Sequence, residues 1–299
     1  MSHALPISTA TPLADQATSG FWDALHGNRT EDLPGVLERL RAAYEENPED
    51  AVVTRLLGIG LTWRVMERGR IDDSDYDPAV TLEEARDFLD RALELAPGHR
   101  VATAFRTTVT GVSAVMNGDS AGFDQAYAEL LANTRFDPQF HGFVQGWAIS
   151  AYVSPDDPRY DAAYAGYFAT LDACAGFETP RNVTAPPPIV LSILARRASR
   201  LDTACYNNDI APHNLEALLL ALGDAYLKEG RISRARDAYE AIPTLPSYAT
   251  WRFQAELAQR LENLGALSEK FRADSGLFTV DEPAMSLQSQ IACTSCHAQ

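Results

Sequence analysis

No run of about 18 apolar residues occurs in the chain, so no segment is long enough to cross a bilayer as a helix. Its longest apolar stretches, "LEALLLALGDAYL" and "PPPIVLSILA", are broken by charge or too short. Basic residues are scarce: 25 Lys and Arg stand against 41 Asp and Glu, a formal net charge of −16. Nucleic acid and anionic membrane surfaces demand basic patches, so neither is expected as a partner. An acidic surface instead favours basic patches on other proteins. Also missing are a P-loop, a nucleophile elbow and a zinc-protease motif, which argues against an enzyme. The amino terminus lacks a charged segment followed by an apolar one, so it does not read as a signal peptide. Residues 1–18 read instead as a flexible leader rich in Ser, Thr, Ala and Pro.

What remains is a globular chain of 299 residues, 46% hydrophobic and 22% charged, long enough to bury a substantial core. No stretch sustains the alternation of a strand, whereas Phe253, Leu257, Leu261 and Leu264 form one apolar stripe at helical spacing. The expected fold is all-α, a stack of antiparallel helix hairpins over residues 19–271 followed by a tail at 272–299. The clearest hairpin carries Leu219, Leu222, Gly223 and Tyr226, then Ala235, Tyr239 and a closing Pro246. That pattern resembles the tetratricopeptide repeat, in which small residues lie where two helices touch and aromatics fill the gap. A second unit offers Leu57 and Gly58, then Ala85, Leu89, Ala92 and Pro97, split by the charged insertion "RVMERGRIDDSDYDP". Val36, Leu40, Ala43 and Pro48 form a degenerate third. Further pairs are expected from His99 to Asn133 and from His141 to Cys174, with loops at "NGDS" and "SPDDP". The resemblance implies stacked helix pairs with a concave surface that holds a peptide or protein. Trp22, Trp63, Trp147 and Trp251 fall on the expected first helices, where packing between hairpins is their ordinary role.

The chain ends "IACTSCHAQ", and Cys293-x-x-Cys296-His297 matches the attachment signature of c-type haem. Two thiols three residues apart reach the two vinyl groups of a porphyrin, and the adjacent imidazole reaches the iron. A helix begun by Pro283, behind Asp281 and Glu282, would put Cys293, Cys296 and His297 on one face. The position of the motif near the carboxyl end is similar to that of the class II cytochromes c, although those are much shorter four-helix bundles. Two rivals stand beside this reading. A zinc site would need a second pair of ligands, and the sequence offers no second Cys-x-x-Cys or His-x3-His. A thioredoxin-like redox pair opens a helix after a strand, and no such strand is expected here.

The motif implies one covalent haem c, with His297 as the proximal iron ligand. Thioether attachment takes place outside the cytoplasm, so the expected location is periplasmic or otherwise extracytoplasmic, with a leader removed. Cys174 and Cys205 would bridge in such a compartment, and two buried thiols are the equal alternative. The sixth iron position decides between electron transfer and gas or peroxide chemistry. Met285 is close in sequence, while His26, His99, His141, His213, Met66 and Met116 are candidates from the scaffold. His141, in the aromatic stretch "FDPQFHGFVQGW", is preferred. Two functions follow from these residues. One is a monohaem cytochrome passing electrons to or from a protein redox partner. The other is a repeat-type module that binds a peptide, with haem as sensor or staple; a haem enzyme with an open distal site ranks third.

Overall fold

The computed structural model describes residues 11–71, 76–181, 186–197, 205, 214–273, 284–289 and 291–297. Among these residues there is no strand. Fourteen α-helices follow in chain order. They are α1 (Pro12–His26), α2 (Leu33–Glu46), α3 (Ala51–Met66), α4 (Pro78–Leu95), α5 (Arg100–Met116), α6 (Ser120–Phe136) and α7 (Pro138–Tyr152). Then come α8 (Asp161–Ala175), α9 (Pro188–Arg197), α10 (Leu215–Lys228), α11 (Ile232–Ala241), α12 (Gln254–Glu262), α13 (Leu264–Ala273) and α14 (Thr294–His297).

Local chemistry explains many of the boundaries. Asp50, Asp77, Asp119 and Asn214 each accept from backbone N–H groups of the helix they precede, satisfying donors that have no partner within the helix. Proline stands in the first turn of α1, α2, α4 and α7, where its missing N–H costs nothing. Thr11 caps α1 in the same way, so helix begins at Pro12, inside the stretch expected to be a leader. The apolar stripe from Phe253 to Leu264 is likewise not one helix. Asn263 ends α12, α13 starts at Leu264, and Trp251 lies ahead of both in a non-helical turn.

The helices pair as hairpins: α1 with α2, α3 with α4, α5 with α6, α7 with α8 and α10 with α11. The pairing depends on close approaches at the glycines and aromatics singled out in the sequence. A Cβ on Gly223 would stand 2.2 Å from the Tyr239 ring, so α10 accepts that ring only because this position is bare. Gly58 plays the same part against Leu89 and the Ala85 carbonyl, at 2.6 and 3.0 Å. At the α7–α8 crossing the backbones themselves touch, and a Cβ on Gly166 would meet the Gly142 oxygen at 2.6 Å.

The first helices of successive hairpins also touch one another, α1 on α3, α3 on α5, α5 on α7 and α7 on α10. Packed at about 8–10 Å per step, a straight row of five would hold its ends about 35 Å apart. Yet the four-residue α14 contacts both α1 and α10. The row therefore curves, and the carboxyl-terminal segment lies across its inner side.

Cys174, at the end of α8, is bonded to Cys205 beyond α9, a sequence separation of 31. Closing a loop of that length in the unfolded chain is worth about 3–4 kcal/mol on the chain-entropy estimate. Replacing both residues by serine is expected to lower the free energy of unfolding by about that amount. Denaturant titration of the two proteins side by side measures it, and an unchanged midpoint would mean that the bridge adds nothing.

Candidate functional site

The segment carrying the motif is bonded to the scaffold along its length. Its first described residues are held by a buried ion pair between Asp224 and Arg260, each with a side chain only 1% exposed. Asp224 Oδ1 accepts from Arg260 Nε at 2.7 Å and from the Tyr239 hydroxyl at 2.7 Å. Its Oδ2 accepts from Arg260 Nη2 at 3.1 Å and from the backbone N–H of Ser286 at 2.7 Å. Arg260 Nη2 also donates to the Ala284 carbonyl at 2.7 Å. Further along, Gln288 Nε2 donates to the Ala151 carbonyl at 2.9 Å. The single helix expected from Pro283 onward does not form among the described residues. A short 3-10 turn at Ser286–Gln288 and a turn at 291–293 lead into α14, and Pro283, Asp281 and Glu282 lie outside the described residues.

The motif is gripped at both ends. Glu67, just past α3, is fully buried, and its Oε1 accepts from the backbone N–H groups of Cys293 and Thr294, both at 2.7 Å. The Thr294 hydroxyl donates to the same oxygen at 3.1 Å. Oε2 accepts from Trp63 Nε1 at 3.0 Å and Arg70 Nη1 at 3.1 Å. Burial pushes the Glu67 carboxyl up, while the Thr294 N–H, the Arg70 charge and the Trp63 indole pull it back down. At the other end, Asn214 donates from its backbone and its Nδ2 to the Cys296 carbonyl, both at 2.9 Å. The same Nδ2 donates to the Ser295 carbonyl at 3.0 Å, and Trp251 Nε1 reaches that carbonyl at 3.4 Å. So short a helix cannot satisfy its own ends, and the scaffold does it instead.

Held in this way, Cys293, Cys296 and His297 line one cleft. Its other walls are Thr62 and Met66 from α3, Ala104, Phe105 and Thr108 from α5, and Phe140, Phe143, Val144, Trp147 and Ala148 from α7. The described lining is apolar and aromatic, with two threonines and no Asp, Glu, Lys or Arg. Such walls suit a mostly apolar group. Among the described residues the buried indole N–H of Trp147 has no hydrogen-bond acceptor, and a bound group with a free oxygen would satisfy it. Away from the cleft, His297 faces α1: its ring centroid lies 6.3 Å from that of His26 and 6.5 Å from that of Trp22. Burial pushes both motif thiols up, Cys296 to about 12, with the Glu67 carboxylate adding to each shift. These are not the depressed thiols of a redox-active dithiol. The chain matches no family model, no curated protein and no solved structure.

The other candidates fall elsewhere. His141 is 3% exposed and packs edge-on against Phe140 at 5.8 Å, but it does not line the cleft. Phe140, Phe143, Val144 and Trp147 share one face of α7. Met285 is buried in the core beside the Ser286 turn and also lies outside the lining. His26, His99 and Met116 are absent from the lining too, and His213 lies outside the described residues. Of the scaffold's methionines and histidines, the described lining includes Met66 alone. All four tryptophans surround the motif: Trp22 beside His297, Trp63 on Glu67, Trp147 in the cleft wall and Trp251 on Ser295. Glu67, Asn214, Asp224 and Arg260 were not singled out in the sequence, because each looks there like an ordinary polar residue of a helix or loop.

Proposed function

We propose that the protein is a monohaem c-type cytochrome of an extracytoplasmic compartment, with its haem seated in the cleft between α3, α5, α7 and the carboxyl-terminal motif. The observation that carries this reading is the convergence of Cys293, Cys296 and His297 on one apolar cleft. A bound haem supplies a one-electron iron couple there. The chain's residues do the rest. Cys293 and Cys296 would form the two thioether bonds, and His297 would offer its imidazole to the iron. The aromatic walls exclude water from the macrocycle, which favours a stable redox centre over reaction with solvent. Glu67 and Asn214 fix the motif's backbone and would hold the points of attachment in place.

Two further observations agree with it. The Cys174–Cys205 bond belongs to an oxidising compartment, where haem is attached by thioethers. The net charge of −16 suits a basic protein partner that docks, exchanges one electron and leaves. The peptide-binding reading is disfavoured because the inner side of the helix row is taken by the chain's own tail. A peroxide-cleaving site would want an acid–base side chain over the ring, and the described lining offers only Thr62 and Thr108 besides the motif.

Protein-film voltammetry of the exported, full-length protein separates a carrier from an enzyme. A carrier gives one reversible one-electron wave that is missing from the Cys293→Ala, Cys296→Ala double variant. A catalytic current on adding peroxide or oxygen would overturn the electron-transfer assignment while leaving the haem in place.

A further inference from the structure

We propose that the scaffold consists of two halves hinged where α5 meets α7, and that the carboxyl-terminal segment is the clasp that holds them closed. The proposal does not depend on what the motif carries. The buried apolar residues fall into two large clusters, one drawn from α1 to α5 and the other from α7 to α13. Of the buried residues of α7 only Ala151 belongs to the first, with Trp147 and Tyr152 packed partly against it. Open space flanks the junction on both sides. The cleft lies between α3, α5 and α7, and a second, smaller space lies between α5, α6 and α7. Thr108 of α5 and Ala148 of α7 line both, so the crossing of these two helices has a void on either side. Side chains that face a void forfeit the contacts that hold a packed interface together. None of the close glycine approaches that interlock the hairpins falls between α5 and α7.

The polar ties across the junction divide in the same way. Outside the tail, Arg100 pairs with Asp137 at 3.2 Å, Arg159 with Asp124 at 2.6 Å, and Arg252 donates to the Gly27 carbonyl at 3.3 Å. All three arginines are more than a third exposed, and ties of that kind are weak. The ties made through the tail are buried. From the first half, Glu67 accepts the N–H groups of Cys293 and Thr294, and Arg70 donates to the Thr294 hydroxyl at 2.9 Å. From the second half, Asn214 holds the Cys296 carbonyl, and the Asp224–Arg260 pair holds Ser286 and Ala284. Ile291 and Ala292 are consecutive, yet one is buried in the second cluster and the other in the first. Two bodies with their own cores, joined by a loosely packed crossing and a strap, close as a hinge. Releasing either end of the strap frees the crossing to open, and the cleft with it.

The test is the distance between two spin labels in the full-length protein, measured by pulsed electron paramagnetic resonance. The labels enter through unnatural amino acids at Glu45 on α2 and Glu262 on α12, both exposed and in different halves. Wild type is expected to give one narrow distance. Glu67→Ala removes the grip of the first half and is expected to give a broad distribution shifted to longer distances, with its helical content kept. Asp224→Leu combined with Arg260→Met loosens the other end of the strap and should broaden the distribution in the same way. Glu84→Ala, whose ion pair with Arg41 lies within the first half, should leave the distance unchanged. A tail that limited proteolysis shows to be released, beside an unchanged narrow distance, would overturn the hinge. A tail still protected in both variants would overturn the clasp. Loss of helical content together with the narrow distance would also overturn the proposal, because halves with their own cores stay folded when they part.

Discussion

Replacing Glu67 by alanine is expected to cost about 3–5 kcal/mol of stability and to release the motif from the scaffold. The magnitude follows from what the carboxylate does. Its two oxygens accept five hydrogen bonds, from Cys293 N, Thr294 N, Thr294 Oγ1, Trp63 Nε1 and Arg70 Nη1. Each neutral donor left in the interior without an acceptor costs about 1–3 kcal/mol, and a charged one costs more. Part of that is recovered as the tail swings out and its N–H groups meet water. Glu84→Ala supplies the contrast. Its carboxylate pairs with Arg41, but both side chains are more than a third exposed, so the loss should stay below about 1 kcal/mol. Denaturant titration measures both variants, and limited proteolysis reports whether the tail has become accessible. A Glu67→Ala protein that loses less than Glu84→Ala and keeps its tail protected would show that Glu67 does not hold the motif.

Asp224→Ala should be destabilising on the same scale, about 3–5 kcal/mol, because it strands the Arg260 guanidinium in the interior. The pair is buried to 1% on both sides and joins four elements at once: α10, α11 through Tyr239, α12, and the tail through Ser286 and Ala284. Removing both charges distinguishes an energetic contribution from a positional one. Asp224→Leu combined with Arg260→Met should recover most of the lost stability, since apolar replacements of a buried pair are often neutral or better. It should not restore the bonds to Ser286 N and Ala284 O, so the tail should remain sensitive to protease. A double variant as unstable as Asp224→Ala would mean that these bonds, and not the stranded charge, carry the cost.

The hairpins were legible because their signals are local. Gly58 against Leu89 and Gly223 against Tyr239 are small-residue contacts fixed by helical spacing. The loops at "NGDS" and "SPDDP" fall between α5 and α6 and between α7 and α8. Where the reading of helices failed, backbone chemistry overrode the apolar pattern, as at Asn263 between α12 and α13. The seating of the tail had no such local sign. Glu67 belongs to "RVMERGR", which reads as a charged surface insertion, and its partners lie more than 220 residues away. Phe140, Phe143, Val144 and Trp147 define one face of α7 by their spacing, and that pattern was legible in the sequence. Nothing local says that the end of α3 meets the motif.

The most direct test of the account is a pyridine haemochrome spectrum with an intact mass, taken on protein exported through a periplasm that has haem-attachment machinery. The account predicts one covalent haem per chain in the wild type and none in the Cys293→Ala, Cys296→Ala double variant. An unmodified wild-type mass under those conditions would contradict it, and would leave a helical scaffold that folds its own terminal dithiol into an apolar cleft for some other purpose.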